Sequence, residues 1–255
     1  MLLHGWEGSA DSMYVLSLGS YLFDRGCDIF RLNFRDHGPS HHLNEDIFHS
    51  CRLPEVVGAV REIQRSLAPE KMSIAGFSLG GNFALRVAAR APSAGIQLQR
   101  AVAICPVLRP HNTMEVLESG SFIYHQYFIA KWKQSLRLKQ KLFPQRFDFT
   151  TILQQSSIRA MTQILVERHS EFADLDAYLN GYALTGDTLA SLQLPAHILC
   201  ALDDPIIPAV DLSALAPTSW LEINAVANGG HCGFVDRLGT ESWADREVAR
   251  LMGLS

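Results

Sequence analysis

Gly76-Phe77-Ser78-Leu79-Gly80 is the stretch on which the reading of this chain turns. Met72 to Ala75 before it read as a strand and Asn82 to Ala91 after it as a helix, the strand-turn-helix setting that gives a G-x-S-x-G sequence its meaning. Glycine on either side of Ser78 removes the Cβ atoms that would collide where strand and helix approach, and Gly81 adds further room. The Ser78 hydroxyl is then expected to stand clear above the sheet edge. A helix beginning at Leu79 aims its first amides at the same point, so the Leu79 N–H is a candidate donor to a developing oxyanion.

Outward from this turn, short apolar runs alternate with amphipathic stretches. Strands are expected at Leu2-Leu3, Asp28 to Asn33, Met72 to Ala75 and Ala101 to Cys105, with helices at about 12–25, 54–67 and 79–91. Two later strands, Ala196 to Ala201 and Ser219 to Ile223, precede a closing helix from about Val235 to Leu251. The alternation implies an α/β fold with a mostly parallel sheet of about six strands. Between Pro110 and Leu194 aromatic, basic and Gln-rich helical segments replace strands, which implies a helical insertion packed on the sheet. The expected organisation is one domain, 1–255, carrying that insertion at about 111–194.

Composition narrows the functional classes. In 255 residues, 22 Lys and Arg against 26 Asp and Glu leave a formal charge of −4, without the basic excess that nucleic-acid binding draws on. An apolar fraction of 47% suits a large buried core, while no apolar run reaches the length of a membrane span and no signal-peptide pattern opens the chain. The five cysteines Cys27, Cys51, Cys105, Cys200 and Cys232 are scattered and lack a C-x-x-C pair, so neither a disulfide framework nor a structural zinc site is expected and a reducing, cytoplasmic setting fits.

A serine hydroxyl is a weak nucleophile unless a base and a group that orients the base stand beside it. The carboxylate pair Asp203-Asp204 follows the strand ending at Ala201, where α/β sheets assemble their sites. His231 lies between glycines in Asn228-Gly229-Gly230-His231-Cys232-Gly233-Phe234, after the last strand. It would take the Ser78 proton and return one to the leaving group, with one of the two aspartates holding its tautomer. The order Ser, Asp, His matches α/β-hydrolases and differs from that of chymotrypsin-like and subtilisin-like enzymes.

Together these pieces resemble the α/β-hydrolase fold superfamily over nearly the whole chain. His4-Gly5-Trp6-Glu7-Gly8, Asn33-Phe34-Arg35-Asp36-His37-Gly38, Gly76 to Asn82, Asp203-Asp204-Pro205 and Gly229 to Phe234 most resemble its YheT-like branch of predicted esterases. The resemblance implies that the acid is Asp204, four residues before Pro208, leaving Asp203 to turn or helix capping. It also implies a second oxyanion donor in the loop after the first strand, the Trp6 N–H, and a cap placed before the acid-bearing strand. Only three residues precede His4, so the N-terminal hairpin strands usual in that fold are expected to be absent from this sequence.

Serine in the turn points to acyl transfer: cleavage of a carboxylic ester through an acyl-serine, as a carboxylesterase, with no metal and no organic cofactor. A lipase or acyl-thioesterase with a lid is the neighbouring reading, and a catalytically idle fold serving as a ligand-binding or interaction protein is the reading of another class. The expected partner is a small-molecule ester or lipid-like acyl substrate, with Tyr124, Tyr127, Phe128 and Phe234 as candidate pocket residues. The run from Phe122 to Trp132 with Lys131, Lys133, Arg137, Lys139, Lys141 and Arg146 reads as a helix with core aromatics and a solvated lysine-rich back. Its functional alternative is a lid making weak contact with anionic headgroups or an anionic acyl carrier. Arg35 and Asp36 read as an ion-paired turn. His41-His42, with Asp36, His37, Asp46 and His49, reads as a polar loop, since adjacent histidines diverge.

Overall fold

The computed structural model describes residues 1–236 and 241–254. Its described residues form a six-stranded, wholly parallel sheet: β1 (Leu2–Leu3), β2 (Arg31–Leu32), β3 (Ile74–Phe77), β4 (Ala101–Ile104), β5 (Ala196–Ala201) and β6 (Leu221–Val226), in the order β2-β1-β3-β4-β5-β6. This is the α/β-hydrolase architecture expected above. Helices α1 (Met13–Phe23), α2 (Leu53–Leu67) and α3 (Leu79–Ala94) connect the early strands. Between β4 and β5 come α4 (Pro110–Ser119), α5 (Phe122–Leu142), α6 (Thr150–Leu153), α7 (Ile158–His169) and α8 (Leu175–Asn180), and α9 (Trp243–Leu251) follows β6.

The strands alternate sides with period two, and each side buries against its own helices. Leu3, Ile74, Ala101, Ala103, Ile198 and Cys200 pack with Val56, Val60, Phe83 and Val87 of α2 and α3. Leu2, Ala75, Val102, Ile104, Leu199 and Ala201 pack on the opposite face with Val15, Leu18 and Leu22 of α1 and Val248 of α9. A third apolar cluster joins α5, α6 and α7 through Trp132, Leu136, Ile152, Met161 and Leu165, and reaches Ile206 and Ile207 beyond β5.

Two elements are shorter than expected. The strand anticipated over Asp28 to Asn33 is reduced to Arg31–Leu32, because β2 is an edge strand whose single neighbour, β1, offers only Leu2 and Leu3 for pairing. The closing helix begins at Trp243 rather than near Val235. Its start is set by a capping box in which the Ser242 hydroxyl accepts from the Asp245 N–H and the Asp245 carboxylate accepts from the Ser242 N–H. Residues 237–240 of the expected span lie outside those described.

The basic stripe of α5 is not uniformly solvated. Lys139 is 1% exposed, and its Nζ donates to Asp36 Oδ1 at 2.8 Å and to the Asp46 carbonyl at 3.0 Å. Asp36, held at φ +55, also accepts the Phe48 N–H at 2.8 Å, so one buried pair locks α5 to the loop after β2. Arg35 instead forms a forked pair with Glu55 of α2, at 2.9 and 2.7 Å to Oε2. Removing one partner of a buried pair strands the other charge without water. Lys139→Met is therefore expected to lower unfolding stability by roughly 3 to 5 kcal/mol in urea titration, with Asp36→Asn added to it recovering part of the loss. A Lys139→Met protein as stable as the parent would refute this role.

Candidate active site

The sharp turn at Ser78 is built by backbone contact. A Cβ on Gly76 would lie 2.1 Å from the Gly80 carbonyl oxygen, and one on Gly80 would lie 2.3 Å from the His4 carbonyl oxygen. Neither position admits a side chain, and the approach they allow presses the first turn of α3 against the end of β1. Ser78 takes φ +53 and ψ −118, a strained conformation for a residue with a Cβ. It is held from both sides: its N–H donates to the Ile104 carbonyl at 2.8 Å, and its own carbonyl accepts from Asn82 at 3.0 Å. Asn82 Nδ2 in turn donates to the Val107 and Tyr182 carbonyls, tying the turn to the segments after β4 and α8.

Beyond β5, Asp204 carries a side chain only 2% exposed. Its Oδ1 accepts the N–H groups of Ile206 and Ile207 at 2.8 and 3.0 Å, and its carboxylate meets His231 Nδ1 at 2.9 Å. With Nδ1 donating to that carboxylate, the ring offers Nε2 as its acceptor. Asp203 does something the sequence did not suggest. Rather than capping a turn of its own, its Oδ1 accepts the N–H groups of both Gly229 and Gly230 at 2.8 Å, pinning the loop that carries His231.

Ser78 and His231 line one cavity of about 1230 Å³, together with Trp6, Leu79, Tyr124, Tyr127 and Phe128. Among the described residues the backbone N–H groups of Trp6 and Leu79 donate no hydrogen bond within the protein. The Trp6 ring stacks on Phe128 at 5.4 Å and meets Trp132 edge-on at 5.3 Å, so α5 rests on the loop after β1. Phe234 is the exception among the expected pocket residues. It is 2% exposed, packs against Trp243 at 5.6 Å, and does not line the cavity. Its N–H returns to the Gly229 carbonyl at 2.8 Å, and its ring covers Gly229 so closely that a Cβ there would lie 2.5 Å from it; the tight return of the loop turns Phe234 into the core.

The other histidines near the loop after β1 are held neutral. Burial pushes His4 down to about 4, and its Nε2 accepts the Phe34 N–H at 3.1 Å. Burial, with His4 beside it, pushes His37 down to about 3, and burial, with Arg52 nearby, takes His49 to about 4. His41 reaches Ser135 at 2.8 Å, and the Asp36 carboxylate is engaged by Lys139, so this group is dispersed among structural bonds.

Glu7, two residues beyond Gly5 and held at φ +56, also lines the cavity. The sequence places it in the His4-to-Gly8 stretch without giving it a role. Burial raises its carboxyl to about 8 against the opposing pull of Lys131, so it is largely protonated at neutral pH.

The sequence model of a family described as alpha/beta hydrolase fold matches residues 1–238. YheT of Escherichia coli (strain K12), named as a candidate esterase, is 25% identical over 244 residues, covering 92% of this chain and 70% of that protein. The pimeloyl-[acyl-carrier protein] methyl ester esterase of Xylella fastidiosa (strain 9a5c) is 31% identical over 206 residues, 77% of this chain and 76% of that one. Among solved structures, the Pyrococcus furiosus esterase Pf2001 superposes with a TM-score of 0.61 at 14% identity, over 99% of this chain and 81% of its own.

An acid whose pKa is higher in the folded than in the unfolded chain destabilises the fold once it must ionise. For Glu7 that cost is absent below about pH 4.5, grows through the window from 4.5 to about 8, and is complete above it. Glu7→Gln is thus expected to raise the melting temperature relative to the parent by an amount that increases from pH 5 to about pH 8.5. A pH-independent difference would contradict the raised carboxyl.

Proposed function

The chain belongs to the alpha/beta hydrolase fold family, and on that premise we propose that it is a serine hydrolase cleaving carboxylic esters through an acyl-serine intermediate. Ser78 is the nucleophile, His231 the general base and then acid, and Asp204 the carboxylate that orients the imidazole. The observation that carries the reading is the buried Asp204 carboxylate on His231 Nδ1, in a ring that lines the same cavity as the strained Ser78. With Nδ1 donating to Asp204, Nε2 takes the Ser78 proton as Oγ attacks the ester carbonyl. The oxyanion that forms is met by the Trp6 and Leu79 N–H groups, both without another partner among the described residues. Collapse expels the alcohol with the proton from Nε2. Water then repeats the sequence on the acyl-serine and releases the acid.

The substrate class follows from the walls. The helices between β4 and β5, about 111–194 in all, act as a cap on a single domain spanning 1–255, and the aromatic side of α5 furnishes Tyr124, Tyr127 and Phe128 as an acyl-binding wall. A cavity of this size with aromatic walls suits medium acyl chains better than acetate. Lys131, Lys133, Arg137 and Lys141 remain outside the buried pair of Lys139 and give the cap a basic face. That face suits an anionic carrier or headgroup beside the cavity, in keeping with the acyl-carrier ester named for the Xylella relative. Among the described residues no helix is long and apolar enough to cross a membrane.

Ser78→Ala is expected to reduce hydrolysis of p-nitrophenyl esters by about 10⁴-fold or more with an unchanged melting profile, and a fluorophosphonate should label the parent at Ser78 alone. Retention of most activity would refute the nucleophile. Absence of both activity and labelling in the parent would instead favour an idle fold that binds a ligand. Rates compared from acetate to palmitate esters, and against the matching acyl thioesters, are expected to peak at medium chain length on the oxygen ester. A peak on long chains or on thioesters would move the assignment to a lipase or a thioesterase.

A further inference from the structure

Cys105 and Cys232 stand 127 residues apart in sequence, yet the fold sets their thiols against one another and against His231. Cys105 follows directly on β4 and Cys232 directly on His231. Both hold left-handed backbone, at φ +45 and +64, which only a few per cent of residues other than glycine adopt. Their contacts cross: the Cys105 thiol points to the Gly230 carbonyl at 3.8 Å and the Cys232 thiol to the Ile104 carbonyl at 3.8 Å. The two sulfurs and a ring nitrogen of His231 all lie within 4.8 Å of one another.

We propose that Cys105, Cys232 and His231 form a binding site for a soft or borderline cation, with Zn²⁺ as the representative, and that its occupancy withdraws His231 from the proton relay. The donor set decides the class. Two sulfurs and an imidazole suit Zn²⁺, Cd²⁺ or Cu⁺ and not Mg²⁺ or Ca²⁺. Bond lengths of about 2.3 Å to sulfur and 2.0 Å to nitrogen place tetrahedral ligands about 3.5 to 3.8 Å apart, so the three atoms need close by no more than about 1.3 Å. Cys105 is fully buried and anchored at the end of β4, whereas Cys232 and His231 share the glycine-flanked loop that can make this movement. His231 and Cys232 also line the cavity, which gives the ion a path in and leaves its fourth position open to water.

Both thiols lose their protons to solvent on binding, as sulfur ligands must. The effect on His231 does not depend on which nitrogen binds. Coordination through Nε2 removes the lone pair that would accept the Ser78 proton, and coordination through Nδ1 breaks the bond to Asp204. Binding itself is independent of the esterase reading; only the inhibition rests on it.

The test is a titration of reduced, chelator-washed protein with Co²⁺, read in the near-ultraviolet and visible spectrum. The expected result is a thiolate-to-cobalt charge-transfer band with tetrahedral ligand-field bands, displaced by one equivalent of Zn²⁺. Cys232→Ala and Cys105→Ala, each checked for an unchanged circular dichroism spectrum, are expected to weaken binding at least about 100-fold. The parent's ester hydrolysis should fall with Zn²⁺ occupancy and return with chelator. No charge-transfer band in the parent overturns the proposal, as does binding of parental affinity in both Cys232→Ala and Cys105→Ala, which would place the sulfur ligands at Cys27, Cys51 or Cys200. A parent protein inactive on every ester but showing the band would leave the metal site standing and remove the esterase reading instead.

Discussion

The contact on which the rest of the molecule depends is the near-collision of backbones at Gly76 and Gly80. Because neither residue has a Cβ, the first turn of α3 lies against the carbonyls of Leu3 and His4, and β3 can reverse into a helix within one residue. The cost of that reversal is the strained conformation of Ser78, which persists only because the surroundings over-determine it. Ile104 of β4 accepts the Ser78 N–H, Asn82 donates to its carbonyl, and Asn82 itself is anchored to the carbonyls of Val107 and Tyr182. The end of β1, the turn after β3 and the end of β4 are therefore one rigid unit, and it carries the amides of Trp6 and Leu79, which have no partner among the described residues.

The helices between β4 and β5 are joined to this unit by two different kinds of contact. Apolar burial supplies the bulk, through Trp132, Leu136, Phe149 and Met161, but such packing specifies volume more than orientation. Orientation comes from directional contacts: Lys139 on Asp36, and the Trp6 ring against Phe128 and Trp132. Both contacts fall on loops that follow strands β1 and β2 at the cavity side. A shift of α5 would thus be felt at the loop carrying Trp6 before it was felt in the sheet.

What could be read from the sequence and what could not divides along a physical line. Short apolar runs such as Leu2-Leu3 and Ala101 to Cys105 report buried strands, and glycine at 76 and 80 reports a backbone approach; both are local consequences of chain geometry. Strand length is not local, which is why Asp28 to Asn33 read as a longer strand than its two-residue neighbour permits. Lys139 could not be separated from Lys131, Lys133 and Lys141 because helical spacing gives the face and not the partner, and Asp36 is a hundred residues away. Phe234 lies three residues after His231 in sequence, but the tight return of the loop at Gly229 turns it away from the cavity and into the core. Glu7 and Cys232 lie within the stretches around Trp6 and His231, and Cys105 ends a strand, but none of those patterns gives them a role. Their significance lies in what the fold brings beside them.

The adjacent aspartates after β5 show how little structure is needed to place a histidine. Between Asn228 and Phe234 the loop holds three glycines and three residues at positive φ, Gly230, Cys232 and Phe234, so side-chain packing alone cannot define its path. One carboxylate, Asp203, grips the backbone at Gly229 and Gly230; the next, Asp204, buried and itself oriented by the amides of Ile206 and Ile207, grips the ring. Because both project from the same turn, the loop and the imidazole are referred to a single origin at the end of β5. Conformational freedom in the glycines is then removed by hydrogen bonds made at both ends of His231, with Phe234 closing over Gly229 from the core side. The same freedom is what lets Cys232 reach back to the Ile104 carbonyl at the end of β4, so the loop's dependence on directional bonds is also the reason a competing ligand could redirect it.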